Sequence, residues 1–192
     1  MSMASSSMDG KQNNNHFDVK DIVNMAIFAS ILFVQEEIFT FIPNVQLTIF
    51  LIILYSKKLG FIRTSIIISI HVLLDSLVMG FNIIFFITMI IGWMFIPLMI
   101  HLFCRRIENP FILGIFGAIG AFLYSWTFII PNSFIFNMDP LVYLAADILF
   151  ELILAACGFL TTLFLYKPCS NLFDRLRITK TKIVIDNENE NR

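Results

Sequence analysis

Long apolar runs broken by short polar punctuation set the pattern of this chain. Roughly 18 apolar residues in a helix cross a hydrocarbon core about 30 Å thick. Runs of that order predict spans over residues 22–41, 62–79, 83–103, 111–130 and 141–166. A sixth run, 45–55, follows the Pro43-Asn44 turn and stops at Lys57-Lys58. It is short for a crossing, at roughly 16 Å of helix. A bilayer leaves no water for stray backbone groups, so the spans are helices rather than open sheet. A transmembrane barrel would show short alternating segments instead. The segment PNSFIFNMDP is expected to be a loop, and Pro168 to end the last span. The piece NLFDRLRI beyond it is expected to lie as an amphipathic helix on the membrane surface. The expected organisation is a polar tail over 1–18, a six-helix membrane domain over 19–168 and a C-terminal tail over 169–192.

Charge converts this pattern into a topology. Lys and Arg concentrate in cytoplasmic loops. With six spans, all 13 basic residues fall on one side: Lys11, Lys20, Lys57, Lys58, Arg63, Arg105, Arg106 and those from Lys167 onward. The other side, around Asn44, Asn82 and residues 131–140, has none. If the short second run did not cross, Lys57 and Lys58 would face away from Lys11 and Lys20. The fold class expected is thus an all-α integral membrane protein of the plasma membrane, multi-pass, with six transmembrane helices and both termini inside. Composition agrees, with 58% hydrophobic and 14% charged residues, where soluble domains carry about 25% charged. The net charge of -1 and the lack of a basic stripe predict no nucleic-acid partner. The three cysteines show no metal-type spacing, and neither a metal centre nor a cofactor is expected.

Ionisable groups within spans cost about 2.5–3.5 kcal/mol each on insertion scales and mark functional sites. Here they are Glu36 and Glu37 beside Gln35 in the first span, His71 and Asp75 in the third, and Asp147 and Glu151 in the sixth. Counted from the outer ends, Asp147 lies roughly 9 Å deep and Glu151 roughly 15 Å deep. The arrangement reads as an acidic cavity opening outward. His71 and Asp75, four residues apart, share a helix face. They either satisfy each other or serve a ligand or proton relay. Asp147 and Glu151 also share a face, where like charges repel unless one is protonated or a cation intervenes. Glu36 and Glu37 differ by about 100° around the helix and serve different surroundings.

Other positions complete the candidate site. Trp93 falls mid-membrane, as core packing or a pocket wall. Trp126 and Tyr124 lie near the outer end of the fifth span, where aromatics anchor at the interface. Asn82, Asn132 and Asn137 fall in outer loops that could cover a ligand. The substrate-binding candidates are therefore Glu36, His71, Asp75, Asn82, Trp93, Trp126, Asp147 and Glu151. Ala26 and Ser30 in the first span are spaced as small-xxx-small, which lets helices approach closely in lipid. They serve either packing within the bundle or an outward docking strip. Gly114, Gly117, Ala118 and Gly120 form a close-packing face on the fifth span. No metalloprotease, nucleophile-elbow or phosphate-loop motif occurs, so no enzymatic activity is expected and any ATP hydrolysis lies on another chain.

These features together resemble the substrate-binding S components of energy-coupling factor (ECF) transporters. The resemblance rests on the length, the six spans, the pair Ala26 and Ser30 in AIFAS, the FIPNVQLT turn, and the run HVLLDSLVMGFN leading into the fourth span. It covers residues 19–168. The family's first-span motif is usually Ala-xxx-Ala, and here Ser30 takes the second place. The resemblance implies capture of a vitamin or related micronutrient from outside, with the loop after the first span closing over it. It implies release inward on docking to a transmembrane coupling protein that carries two ABC ATPases. Ala26 and Ser30 would then be docking residues, and membrane lipid and a small-molecule substrate the remaining partners. The acidic residues suggest a ligand that is cationic or rich in hydrogen-bond donors. The rival readings are a membrane assembly protein of the rod-shape-determining type and a stand-alone ion-coupled transporter.

Overall fold

The computed structural model describes residues 18–190, with side chains placed through Leu176. The expected N-terminal tail, apart from Asp18, lies outside the described residues. The fold is entirely helical among the described residues: α1 (Val19–Phe39), α2 (Thr48–Leu59), α3 (Phe61–Met79), α4 (Ile83–Phe103), α5 (Pro110–Thr127), α6 (Ile129–Phe136) and α7 (Pro140–Glu190). Side-chain oxygens define the helix starts. Asp18 accepts from the Val19 amide, Asn82 from Ile84 and Phe85, Asn109 from Phe111, and Asp139 from Leu141 and Val142. Each satisfies amides that lack an intrahelical acceptor. Pro110 and Pro140 open their helices, where a missing N–H costs nothing. Gly60, at φ +84°, provides the tight joint between α2 and α3.

Five stretches are long and apolar enough to cross a membrane: Val19–Phe39, Phe61–Met79, Ile83–Phe103, Pro110–Phe136 and Pro140–Leu176. Their outward faces are apolar. On α1, Val23, Ile27, Ile31, Val34 and Ile38 are exposed, while Met25, Ala29, Leu32 and Gln35 are buried. Such a belt suits lipid and not water.

The second run differs from expectation. Helix α2 begins at Thr48 and continues to Leu59, past Lys57 and Lys58. It has only 12 residues, and Ile49, Ile52 and Ile53 are fully buried. It is the central helix, packed against α1, α3, α4, α5 and α7. Backbone at membrane depth need not be helical where protein encloses it. Residues 44–47 use that freedom, while 40–43 are exposed: Gln46 is buried, and the Leu47 amide finds its acceptor in the Gln35 side chain.

Two further boundaries are corrected. The expected loop PNSFIFNMDP is helical through Phe136, because Pro131 falls in the first turn of α6, where no N–H is required. Helix α7 runs on through Pro168 to Glu190 instead of ending there. The expected surface helix NLFDRLRI is therefore a continuation of α7. One interior proline removes a single backbone bond, and the buried Tyr166 and Ser170 flanking it keep that turn packed.

Small residues set the closest helix contacts. A Cβ on Gly114 would meet the Phe159 ring of α7 at 2.9 Å, and one on Gly120 the Ile96 side chain of α4 at 2.6 Å. The α5–α7 pair is the most extensive in the bundle. Basic residues gather at one end. Lys57 pairs with Glu108 at 3.2 Å, Lys58 with Asp174 at 2.8 Å and Arg63 with Asp21 at 3.0 Å. Lys57 also donates to the carbonyls of Cys104 and Arg105. The intramembrane acids lie toward the other end.

Candidate functional site

Two helices bring three ionisable groups to one point. His71 and Asp75 sit one turn apart on the buried face of α3, with exposures of 0% and 1%. Glu36 reaches them from α1. His71 Nε2 lies 3.2 Å from Glu36 Oε2 and 3.3 Å from Asp75 Oδ2. Neither approach has hydrogen-bond geometry, and both ring nitrogens of His71 and both oxygens of Asp75 lack a hydrogen-bond partner among the described residues. His71 and Asp75 thus do not form a self-satisfied pair.

The start of α2 holds Glu36 in place. Thr48 Oγ1 donates to Glu36 Oε2 at 3.4 Å. The Gln46 amide, turned with its nitrogen toward Glu36, donates to Oε1 at 3.1 Å and Oε2 at 3.3 Å. Behind it, Gln35 Nε2 donates to Thr48 Oγ1 at 2.6 Å, and Gln35 Oε1 accepts from the Leu47 amide at 2.7 Å. Buried polar groups that close such a network fix one geometry. The separation of Glu36 from Glu37 around α1 is observed: only Glu36 joins the cluster.

Aromatic and acidic groups extend the site. Trp93 of α4 is fully buried and stacks on Tyr124 of α5, with ring centroids 3.9 Å apart and planes 23° from parallel. The indole Nε1–H of Trp93 has no acceptor among the described residues. Tyr124 lies within electrostatic reach of Glu36, Asp75, Tyr143 and Asp147. Asp147 of α7 faces Ser125 and Tyr143. Glu151, one turn deeper on α7, is 1% exposed and neither oxygen has a hydrogen-bond partner among the described residues. An unpaired buried polar group costs about 1–3 kcal/mol, more if charged. Four side chains carrying such groups, His71, Asp75, Trp93 and Glu151 on α3, α4 and α7 around Glu36, describe a site built for something other than its own stability.

Not every sequence candidate belongs. Asn82 is exposed and occupied as the cap of α4. Trp126 is 47% exposed, with its indole facing Glu151. Asn132 donates to the Phe128 carbonyl, and Asn137 is the left-handed residue that ends α6, so both have structural work. Tyr124, expected as an interfacial anchor, packs inside against Trp93. Its position was readable, since it follows Gly117 and Gly120 by seven and four residues and so shares their buried face. Gln46 and Thr48 were missed. Their signal was two polar residues, spaced by one, inside an otherwise apolar entry to α2.

Ala26 and Ser30 point out of the bundle. Both are exposed, and the Ser30 hydroxyl folds back onto the Ala26 carbonyl at 2.9 Å. With Val23, Ile27, Ile31 and Val34 they line a shallow apolar groove along α1. Comparison with family models, curated proteins and solved structures finds no match.

Proposed function

We propose that this chain is the membrane-embedded substrate-binding subunit of an ECF-type importer, with six passes and both termini on the cytoplasmic side of the plasma membrane. The observation that supports it most is the set of buried, unpartnered polar groups of His71, Asp75, Trp93 and Glu151 around Glu36, at the end of the bundle away from the basic residues. A bundle that only assembled other proteins would gain nothing from carrying these costs. In this reading α2 completes the sixth pass together with residues 40–47, which form the outer cover of the pocket. A micronutrient enters from outside, stacks by the Trp93–Tyr124 pair and is held by the acidic groups. The outward strip at Ala26 and Ser30 meets the transmembrane coupling protein, and two ABC ATPases supply the energy. The Ser30 hydroxyl is already satisfied within its own helix, so it presents a small surface rather than a competing polar one.

The test is purification of the tagged chain from its native membranes in mild detergent. Recovery of two ABC ATPases with one polytopic partner supports the reading. Recovery of cell-wall elongation proteins, or of the chain alone with transport in liposomes that contain nothing else, overturns it.

A further inference from the structure

We propose that Glu36, His71 and Asp75 form a binding site for a divalent first-row transition-metal ion of the zinc class, against the sequence expectation of none. The ligand atoms of the three residues lie within 4.8 Å of one another. Zinc holds nitrogen and oxygen ligands at about 2.0–2.2 Å, which places two ligands of one tetrahedral ion roughly 3.3–3.5 Å apart. The observed Nε2-to-oxygen separations are 3.2 and 3.3 Å. These are contacts along the edge of a coordination polyhedron, not hydrogen bonds, since no N–H of His71 is aligned with either carboxylate.

Charge supports the same conclusion. Two carboxylates and a neutral imidazole balance one divalent cation, which leaves no net charge in a low-dielectric interior. One imidazole and two carboxylates suit a borderline ion better than the hard all-oxygen shells of calcium or magnesium. The outer contacts are those that orient a carboxylate ligand: Thr48 and Gln46 both hold Glu36. Three protein ligands leave a fourth position for water or an organic co-ligand. Its role as cargo, alone or with a co-ligand, rests on the importer reading; its binding does not.

The test uses the full chain with a histidine-free tag, stripped by chelator and reconstituted in lipid nanodiscs. Zn²⁺ is titrated with elemental analysis of the bound ion, and Co²⁺ with visible absorption as a report of tetrahedral geometry. One ion per chain is expected, with at least ten-fold weaker binding in His71→Gln and in Asp75→Asn, and unchanged binding in His101→Gln, whose side chain is exposed at the far end of α4. Glu36→Gln, at a side chain 20% exposed, gives the same loss without disturbing a fully buried position. Wild-type protein that binds neither ion, or binding equal in wild type and all three site variants, overturns the site. Ion binding without recovery of ATPase partners upholds the site and removes the importer reading. Recovery of those partners with no ion bound does the reverse.

Discussion

Gln35 of α1 and Thr48 of α2 share a 2.6 Å hydrogen bond that fastens the start of the central helix to the first span. The same glutamine accepts the Leu47 amide. Gln35→Leu therefore leaves that amide without its acceptor and removes the donor to the Thr48 hydroxyl, and costs about 1–3 kcal/mol. Thr48→Val is expected to cost less, about 0.5–1.5 kcal/mol, because Gln35 Nε2 keeps its bond to the Leu32 carbonyl. Thermal unfolding in detergent should rank the two in that order, and the reverse order would refute this account of the joint.

Gly92 lies against Tyr124. A Cβ there would meet Tyr124 Cδ2 at 2.7 Å and Thr127 Oγ1 at 2.9 Å. Gly92→Ala must displace the ring that stacks on Trp93, at an overpacking cost of about 1–3 kcal/mol. The chain has two tryptophans, so Trp126→Phe leaves Trp93 as the sole emitter. In that background Gly92→Ala is expected to change Trp93 emission and lower the melting temperature. An unaltered spectrum would show that the stack does not depend on the glycine.

Glu108, in the turn between α4 and α5, ties the basic end together. Burial raises the pKa of its carboxyl, but the Tyr166 hydroxyl at 2.6 Å and the Lys57 ammonium at 3.2 Å outweigh this and hold it below the usual carboxylate value. A depressed acid stabilises the fold above its unfolded pKa, near 4.3. That contribution fades as pH falls below this value and is lost once pH passes the folded pKa. The side chain is 65% exposed, so screening limits the effect to about 0–1 kcal/mol. Wild type should melt slightly above Glu108→Gln at neutral pH, and the gap should close between about pH 5 and pH 3. A gap that persists at pH 3 would place the stabilisation elsewhere.

The crossing pattern predicts labelling from opposite sides. In a background without the native cysteines, Phe134→Cys on α6, at a side chain 83% exposed, should react with an impermeant maleimide applied to whole cells. Arg106→Cys, at the basic end, should react only after permeabilisation. Labelling of both from outside would exclude the proposed orientation.

How much of this was legible depended on how each feature is specified. The long spans were read within a few residues at their starts, because lipid contact demands unbroken apolar sequence, but the end of α7 was placed at least ten residues too early. The His71–Asp75 face and the separation of Glu36 from Glu37 followed from helical periodicity; the preference for Glu36 rested on taking the Ala26–Ser30 face as a docking face. The entry to α2 was not legible, because no local cap sets it: Leu47 makes no side-chain cap, and a glutamine twelve residues upstream takes its amide. Helix α6 was hidden by Pro131, which marks a break in most contexts but a first turn here. The stacking of Trp93 on Tyr124 needed the α4–α5 crossing, which periodicity within one helix cannot supply.

The shortness of α2 changes the distance that a solute must travel. Its 12 residues rise about 18 Å from Thr48 to Leu59, against a hydrocarbon thickness near 30 Å. In the proposed importer, a ligand resting beside Glu36 and Thr48 has therefore covered a large part of the journey before any rearrangement. Along the central helix, what separates it from the Lys57–Lys58 end is just over three helical turns. In the proposed importer, the work left to the partner machine is to open that short plug.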